Sequence, residues 1–357
     1  MSTKRYAIAV IPGDGIGREV MVEGLRVLDA VTAKFGFQCV LTHYDWGCEY
    51  YLRTGEMMAT DGLDRLRETD AILFGAVGFP GIPDHISVWG LILKIRRAFD
   101  QYVNLRPVRL LRGVHCPLVG KKPGDIDFRI VRENTEGEYS KLGGRMFEGT
   151  EQEFAVQEAV FTRRGTDRIM KYAFELARKL KRPHVTSATK SNGLYYSMPF
   201  WDERFAAMAT DYPDIRTDQL HIDILAARMV LTPEHFDVVV GSNLFGDILS
   251  DLGPAVTGTI AIAPGGNINP ERIYPSMFEP VHGSAPDIAG KNIANPIGQI
   301  WSVSMMLEHL GENGAAQAVI HAIEEVLGSS DGPRTPDLGG AATTTDLGGA
   351  IAARVSS

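Results

Sequence analysis

Apolar and polar positions along the chain follow two different periods, and the alternation predicts an α/β protein. Residues 7–11 form a short apolar run that stops at Pro12-Gly13, which is typical of a buried strand followed by a turn. From residue 18 to residue 35, apolar side chains recur at helical spacing. Further predicted strands are 37–44, 71–74, 105–111, 128–131, 184–187 and 236–240. Further predicted helices are 63–67, 89–99, 166–180, 297–310 and 347–355, with another that begins near 244. Strands that alternate with helices in this way favour a largely parallel sheet.

Three glycine-rich segments interrupt this alternation. The segment that follows Glu138 is glycine-rich and leads into an apolar stretch at 153–160, which predicts an arm or hairpin. Residues 261–273 are rich in Gly, Pro and Asn and are predicted to form a loop. Residues 328–349 are rich in Gly and Thr, and we expect an ordered loop there before the last helix.

Composition excludes several classes of protein. The 357 residues are enough for two domains, and 44% of them are hydrophobic, as in ordinary globular proteins. The net charge of −8 without a Lys/Arg run argues against nucleic-acid binding. The three cysteines lack CxxC spacing, so we expect no disulfides and a reducing, cytoplasmic location. Since no apolar stretch reaches the roughly 18–20 residues of a membrane span, we expect no membrane association.

The first candidate motif is Gly13-Asp14-Gly15-Ile16-Gly17, between the first strand and the first helix. Its spacing is GxGxG rather than the GxGxxG of a dinucleotide-binding loop. No acidic residue follows about 20 positions later to receive a ribose hydroxyl. The motif therefore favours a tight strand-to-helix turn over a Rossmann phosphate loop.

The strongest local signal is an aspartate pair. Asp247 and Asp251 follow the strand 237–240 and a Gly-Ser-Asn turn, and their i,i+4 spacing puts both on one helical face. Two carboxylates about 6 Å apart repel each other by about 3 kcal/mol at an effective dielectric near 20. A divalent cation would offset that repulsion. The alternative is a pair of solvated helix acids, and the pattern by itself does not decide between the two.

Other charged side chains stand in apolar surroundings. Asp223 has apolar neighbours on both sides, where a carboxylate needs a partner or a metal. Lys190 follows an apolar strand, and a desolvated lysine can act as a general base. Guanidinium groups bind carboxylates with two hydrogen bonds, so a cluster of arginines fits a dicarboxylate site, although each arginine taken singly is more typical of a charged surface. The arginines are Arg96, Arg97, Arg106 and Arg132.

Together these segments resemble the isocitrate/3-isopropylmalate/tartrate dehydrogenase family of metal-dependent β-decarboxylating dehydrogenases. The resemblance runs from Ile11–Gly17 to Arg334–Gly340, and its most specific parts are Asn243–Asp251 and Glu279–Lys291. It implies the family's own two-domain α/β fold rather than a Rossmann fold, with a mixed sheet and flanking helices.

The resemblance also implies a domain organisation. Residues 1–104 and 262–357 would form a discontinuous domain on the cofactor side. Residues 105–261 would form the domain with the dimerisation surface and the metal site, with an arm near 138–160. The active unit would be a homodimer with a shared active site.

The resemblance implies the following roles for side chains. Tyr139, in Glu136-Gly137-Glu138-Tyr139, matches the proton donor, and Lys190 matches the lysine that works with the hydroxyl proton. Residues expected to bind the substrate carboxylates are Arg96, Arg106 and Arg132. Ligands expected for Mg²⁺ or Mn²⁺ are Asp223, Asp247 and Asp251. In the family, Lys190 and Asp223 would come from the neighbouring subunit.

The cofactor implied by the resemblance is NAD. Asp287 matches the pattern that prefers NAD, because a carboxylate there receives ribose hydroxyls and repels a 2′-phosphate. The expected cofactor-binding residues are Glu279, His282, Gly283, Ser284, Ala285, Asp287 and Asn295. A requirement for K⁺ as a further ion is left open.

Two segments point to a branch of the family. Residues 83–90 and 124–127 look like those of members that act on tartrate and D-malate, where Ser87 would hydrogen-bond a small substrate and Trp89 would narrow the pocket. The expected activity is NAD- and metal-dependent oxidation of a 2-hydroxy dicarboxylate, with D-malate decarboxylated to pyruvate and CO2 and tartrate oxidised. The alternatives are 3-isopropylmalate dehydrogenase and a non-catalytic regulatory subunit. The full set of matched residues argues against the latter.

Overall fold

The computed structural model describes residues 4–357, and strands alternate with helices as predicted. The strands are β1 Arg5–Gly13, β2 Gln38–His43, β3 Ala71–Ala76, β4 Val103–Arg109, β5 Asp127–Glu133, β6 Gly143–Met146, β7 Phe154–Gln157, β8 His184–Thr189, β9 Arg216–His221, β10 Val238–Gly241, β11 Pro264–Ile268 and β12 Ser276–Pro280. The helices are α1 Gly17–Phe35, α2 Cys48–Thr54, α3 Gly62–Arg67, α4 Asp84–Gly90, α5 Ile92–Ala98, α6 Arg163–Leu180, α7 Ser197–Ala209, α8 Ile222–Leu231, α9 Asn243–Thr257, α10 Ile297–Leu310, α11 Asn313–Gly328 and α12 Thr344–Ser356. Among the residues described, none of these helices combines the length and the apolar character that a membrane crossing requires.

Internal packing divides the chain into two units. Unit 1 contains 4–101, Arg109–Ile126 and Pro254–Ser357, and unit 2 contains Tyr102–Val108 and Asp127–Gly253. The division differs from the one expected from sequence mainly at Arg109–Ile126, which groups with the chain ends. The physical reason is close backbone packing within unit 1, because a Cβ at Gly113 would overlap the Leu327 carbonyl oxygen.

The sheet of unit 1 is buried on both faces at its inner strands, whereas its edge strand β2 is largely exposed. Its strands lie in the order β2-β1-β3-β12-β11, with β11 and β12 antiparallel and the other pairs parallel. Every residue of β3 is buried, as expected for a parallel strand that is covered on both sides. Helices α1, α10, α11 and α12 pack together in this unit.

Unit 2 places charged residues at one edge of its sheet. Its strands lie in the order β4-β5-β10-β8-β9, and β5, β10, β8 and β9 run parallel. Gly241 at the end of β10 pairs in register with Arg132 near the end of β5. Because the carboxyl ends of parallel strands share one edge, Arg132 lies beside the turn that begins α9.

Helix α6 shows how the local sequence sets an element's start. The Thr162 hydroxyl accepts a hydrogen bond from the Gly165 N–H (3.0 Å) and so caps the helix. The Glu136 carboxylate accepts from the Thr162 N–H and hydroxyl at 2.8 and 2.7 Å. The start of α6 is thereby tied to the segment that carries Tyr139.

Some predicted boundaries are wrong. The predicted helix 89–99 is two helices, α4 and α5, because Leu91 leaves the helical region with φ −123° and ψ −76°. The predicted loop 261–273 contains the buried strand β11, in which Gly266 leaves room for the Phe278 ring. The last helix begins earlier than predicted, because the Thr343 and Asp346 side chains form a capping box.

The Gly13–Gly17 motif forms the predicted tight turn. Gly13 has φ +70°, and a Cβ there would overlap the carbonyl oxygen of Ala76. The Asp14 N–H donates to that same oxygen (2.9 Å), and the Asp14 carboxylate accepts from the Cys48 N–H (2.8 Å). The turn therefore needs glycine for its conformation and also for space.

We predict that Gly13→Ala destabilises unit 1 more than a substitution that adds only backbone strain. Gly36 is the matched control, because it has φ +73° but open space around a Cβ. We expect Gly36→Ala to lower the free energy of unfolding by about 1 kcal/mol and Gly13→Ala by about 2 kcal/mol more. Urea midpoints measure both losses, and equal losses would show that the close approach to Ala76 is unimportant.

Candidate active site

Two side chains of unit 2 converge on the Asp247 carboxylate. The buried Arg132 guanidinium contacts Asp247 Oδ1, and the Tyr139 hydroxyl donates to Asp247 Oδ2 at 2.6 Å. The Arg132 guanidinium also lies over the Tyr139 ring, 5.4 Å from its centre. Burial and the Asp247 carboxylate raise the pKa of Tyr139 to about 12, so its hydroxyl keeps its proton at neutral pH. The structure therefore brings together three residues that the sequence analysis singled out separately.

Asp251 lies within electrostatic range of the same group. Removal from water and the negative charge of Asp247 raise the pKa of Asp251, whereas Arg106 and Arg132 lower it. Arg106 is buried, and its Nε donates to Asn104 Oδ1 at 2.7 Å. Two carboxylates that disfavour each other's charge are a donor set suited to a hard divalent cation, so these residues fit Mg²⁺ or Mn²⁺.

The close approach of Arg132 to the backbone of α9 depends on one glycine. Gly246 lies in the first turn of α9, and a Cβ at that position would overlap the Arg132 side chain. The side chain of Asn243 completes the contact, since its Oδ1 accepts from Arg132 Nε at 3.1 Å and Nη2 at 2.7 Å. The start of α9 therefore holds the guanidinium in one orientation.

Lys190 and Asp223 form a separate pair in unit 2. Lys190 Nζ lies 2.7 Å from Asp223 Oδ1, and the hydrogen bond from the ammonium group holds the pKa of Asp223 below its usual value. Asp223 stands in the first turn of α8, and its side chain is 59% exposed. Within residues 4–357, Asp223, Asp247 and Asp251 do not form a group with mutually close ligand atoms.

The part of the chain described here does contain one such group, which is His184, Asp218 and His235. Asp218 Oδ2 lies 2.9 Å from His184 Nε2 and 2.8 Å from His235 Nε2. On its other side, His184 Nδ1 lies 2.9 Å from Arg216 Nη2 and 3.1 Å from the His235 carbonyl oxygen. Burial and the Arg216 charge lower the pKa of His184. We interpret the group as a set of hydrogen bonds that attaches Asp218 of β9 to His184 and His235, and not as a metal centre.

Arg96 and Glu279 of unit 1 form a buried ion pair. Arg96 Nη2 lies 2.7 Å from Glu279 Oε1, and the same oxygen accepts from Asn267 Nδ2 at 2.9 Å. Arg96 Nε is buried without a hydrogen-bond partner. Ser87 is fully buried on α4, and its hydroxyl donates to the Pro83 carbonyl at 3.4 Å. The substrate contacts expected of Arg96 and Ser87 remain predictions.

His282 is the most informative of the expected cofactor residues. Its Nδ1 lies 3.0 Å from the Gly283 carbonyl oxygen and so carries the ring proton, while its Nε2 is buried without a partner. Burial lowers the pKa of His282, so the imidazole is neutral. An unprotonated, partnerless Nε2 is an acceptor that suits the exocyclic amino group of adenine, and this residue fits the expected nucleotide.

The other expected cofactor residues surround His282 in sequence with varied exposure. Ser284 is buried and its carbonyl oxygen accepts from the Ile16 N–H at 2.9 Å, which ties this segment to the Gly13–Gly17 turn. Asn295 is buried and donates to Asp337 Oδ2 at 2.9 Å. Residues with more solvent contact are Gly283, Ala285 (φ +39°) and the exposed Asp287. The set lies in unit 1 as expected, and its contacts with NAD remain predictions.

Sequence reasoning missed several residues that hold this site. Asn243, Asn104 and Asn267 each accept from or donate to a charged site residue, yet a buried asparagine carries no distinctive spacing. Glu138 stands in the motif that marks Tyr139, but the motif assigns it no role, and Asp337 lies in the segment predicted as a loop. The only available signal was proximity in sequence to a predicted catalytic group.

Comparison with known proteins identifies the family of this chain. A family model of isocitrate/isopropylmalate dehydrogenases matches residues 7–351. D-malate dehydrogenase (decarboxylating) of Escherichia coli (strain K12) is 62% identical, and tartrate dehydrogenase/decarboxylase of Pseudomonas putida is 60% identical, each over 98% of both chains. The crystal structure of isocitrate dehydrogenase from Methylococcus capsulatus superposes with a TM-score of 0.90 at 34% identity, over 99% of this chain and 100% of that one. The chain therefore belongs to the isocitrate/isopropylmalate dehydrogenase family.

Proposed function

We propose that this protein is an NAD- and divalent-metal-dependent dehydrogenase for a small 2-hydroxy dicarboxylate, which converts D-malate to pyruvate and CO2 and also oxidises tartrate. The observation that carries the proposal is the group formed by Arg132, Tyr139 and Asp247, which joins a carboxylate-binding cation, a protonated phenol and a metal-binding acid. The D-malate and tartrate enzymes at 62% and 60% identity support this choice of substrates.

The metal would be held by Asp247 and Asp251, with Asp223 completing the set from a second copy of the chain. A divalent metal bound there would acidify the substrate hydroxyl and stabilise negative charge on its oxygen, while NAD would accept the hydride. Arg106 and Arg132 would bind substrate carboxylates and keep the reacting carbon in place.

Proton transfer would be divided between two side chains. Lys190 would receive the hydroxyl proton as the carbonyl forms, directly or through a water molecule, and for this step its amine would have to be neutral in the substrate complex. Tyr139 Oη would deliver a proton to the carbon from which CO2 departs. The phenol is protonated at neutral pH and therefore has a proton to deliver.

Exposed apolar surface supports a homodimer with a shared active site. Helix α8, which carries Asp223, exposes Ile224, Val230 and Leu231 by 49%, 41% and 72%. All residues of β6 and β7 are exposed, and an isolated two-stranded hairpin is at best marginally stable in water. Further exposed apolar side chains in or beside this hairpin are Leu142, Met146, Phe147, Phe154 and Val156. Such surface favours burial against a second copy of unit 2.

The substrate prediction is a preference among three diacids. With NAD and Mn²⁺, we expect NADH formation with D-malate and tartrate, and we expect kcat/KM for 3-isopropylmalate to be at least about tenfold lower, because one misfit apolar group changes binding by about 1–3 kcal/mol. Pyruvate and NADH should form in equal amounts from D-malate. A clear preference for 3-isopropylmalate would make the proposed substrate wrong.

The metal prediction concerns Asp251→Asn. We expect Mn²⁺ affinity, measured by electron paramagnetic resonance on metal-free protein, to fall at least about tenfold, because the cation loses one anionic ligand. Asp218→Asn is the matched control and should leave Mn²⁺ binding unchanged, since Asp218 is hydrogen-bonded to His184 and His235 and lies outside the proposed metal site. The opposite outcome would move the metal site to His184 and His235.

Subunit mixing tests the shared site. We expect Asp251→Asn and Lys190→Ala to be inactive as separate homodimers. Unfolded and refolded together in equal amounts, they should recover about a quarter of the wild-type activity, since half of the dimers are mixed and each mixed dimer has one intact site. A mixture of Asp251→Asn with Asp247→Asn is the control and should stay inactive. Sites made within one chain would give no recovery in either mixture.

A further inference from the structure

Glu138 connects the two segments that carry the proposed reacting groups. Its Oε1 accepts from the Ser242 hydroxyl at 2.7 Å, and its Oε2 accepts from the Leu244 N–H at 3.1 Å. Ser242 directly precedes α9, and Leu244 lies in its first turn. The first N–H groups of a helix lack partners within the helix and favour a carboxylate, so this contact is chemically well matched.

The next residue, Tyr139, contacts the same helix at a second point. Its hydroxyl lies 2.6 Å from Asp247 Oδ2, one turn farther along α9. Asn243 adds a contact between the two segments, because its Nδ2 donates to the Glu136 carbonyl at 3.1 Å. The backbone of residues 136–139 therefore follows the first turn of α9.

The preceding part of this segment is attached elsewhere. The Gly137 N–H donates to the Val160 carbonyl at 2.8 Å, and the Val160 N–H donates back at 3.1 Å. The Glu136 carboxylate binds Thr162 at the start of α6. These contacts hold residues 136 and 137 toward 160–162, while Asn243 attaches the Glu136 carbonyl to α9. Directly before residue 139, the Glu138 carboxylate adds two further contacts to the start of α9.

We propose that Glu138 is a positioning residue, whose carboxylate docks the Tyr139 segment on the first turn of α9 and so fixes the Tyr139 hydroxyl relative to Asp247. The proposal rests on the proposed function, because it assumes that Tyr139 delivers a proton. Without the carboxylate, the Leu244 N–H would turn to water and Tyr139 would lose its fixed position. Proton delivery would then slow more than substrate or cofactor binding.

Four variants test this role. In Glu138→Ala we expect kcat with D-malate to fall at least about tenfold, with KM for D-malate and NAD within about twofold of wild type. Glu138→Gln should stay within about threefold of the wild-type kcat, because its amide can accept from the Leu244 N–H and donate to the Ser242 hydroxyl. Tyr139→Phe should be slow, and the double variant Glu138→Ala/Tyr139→Phe should be no slower, since both changes remove the same function.

Several results would overturn the proposal. These are an unchanged kcat in Glu138→Ala, a Glu138→Gln variant as slow as Glu138→Ala, or a double variant that is slower than Tyr139→Phe by the full Glu138→Ala factor. Glu203→Ala is the control for loss of an acid, because Glu203 is exposed on α7 and lies outside the proposed machinery. Its kcat should match that of wild type.

A structural readout separates this proposal from the proposed function. If the wild-type protein turned over neither D-malate nor tartrate, the proposed function would fail, and the docking would still be testable. A crystal structure of Glu138→Ala should then show residues 138–140 displaced from α9, with the Tyr139–Asp247 hydrogen bond lost. Retention of that hydrogen bond in the variant would refute the docking role.

Discussion

The arrangement of unit 2 depends on one electrostatic constraint, which is the Asp247 carboxylate beside the buried Arg132 guanidinium. Arg132 stands near the end of β5, and α9 brings Asp247 to it. Once these charges are paired, the Tyr139 hydroxyl can donate to a fixed Asp247 carboxylate. The Asn243 side-chain oxygen can likewise accept from a fixed Arg132 guanidinium. The same pairing leaves Asp251 as a second carboxylate close to a first, which suits a cation. Parallel-strand geometry, ion pairing and the proposed chemistry therefore rest on the same few atoms.

Sequence periodicity was sufficient to predict β1, β3 and α1, because β1 and β3 contain continuous apolar runs and α1 has a clear apolar stripe. It did not predict β9 or β12, although both have a parallel neighbour in the sheet. It was insufficient where structure depends on distant packing. The strand β11 is rich in Gly and Asn, and it is a strand because β12 and the Phe278 ring lie against it. The break at Leu91 does have a local signal, because Gly90 directly precedes it and glycine weakens a helix.

The candidate site shows the same limit at the level of side chains. The i,i+4 aspartates and the arginine after an apolar strand were visible in the sequence, because each stands at a strand end or on one helical face. Their contacts were not visible, since the Tyr139–Asp247 bond joins residues 108 positions apart. The expectation that Asp223 shares a metal with Asp247 and Asp251 came from family resemblance. One chain alone does not bring the three together, and that expectation therefore depends on assembly.

The missing side chain at Gly246 has a consequence for how this protein can vary. The Arg132 side chain occupies the volume that a methyl group at position 246 would need. Alanine is normally the residue that helices tolerate best, but here its methyl group would overlap the Cβ and Cγ atoms of Arg132 and approach its Cα, so α9 and β5 would have to move apart. Natural variation at this position would consequently be restricted by the distance between α9 and β5, and the same distance sets where Arg132 stands beside Asp247, even though residue 246 has no polar side chain of its own.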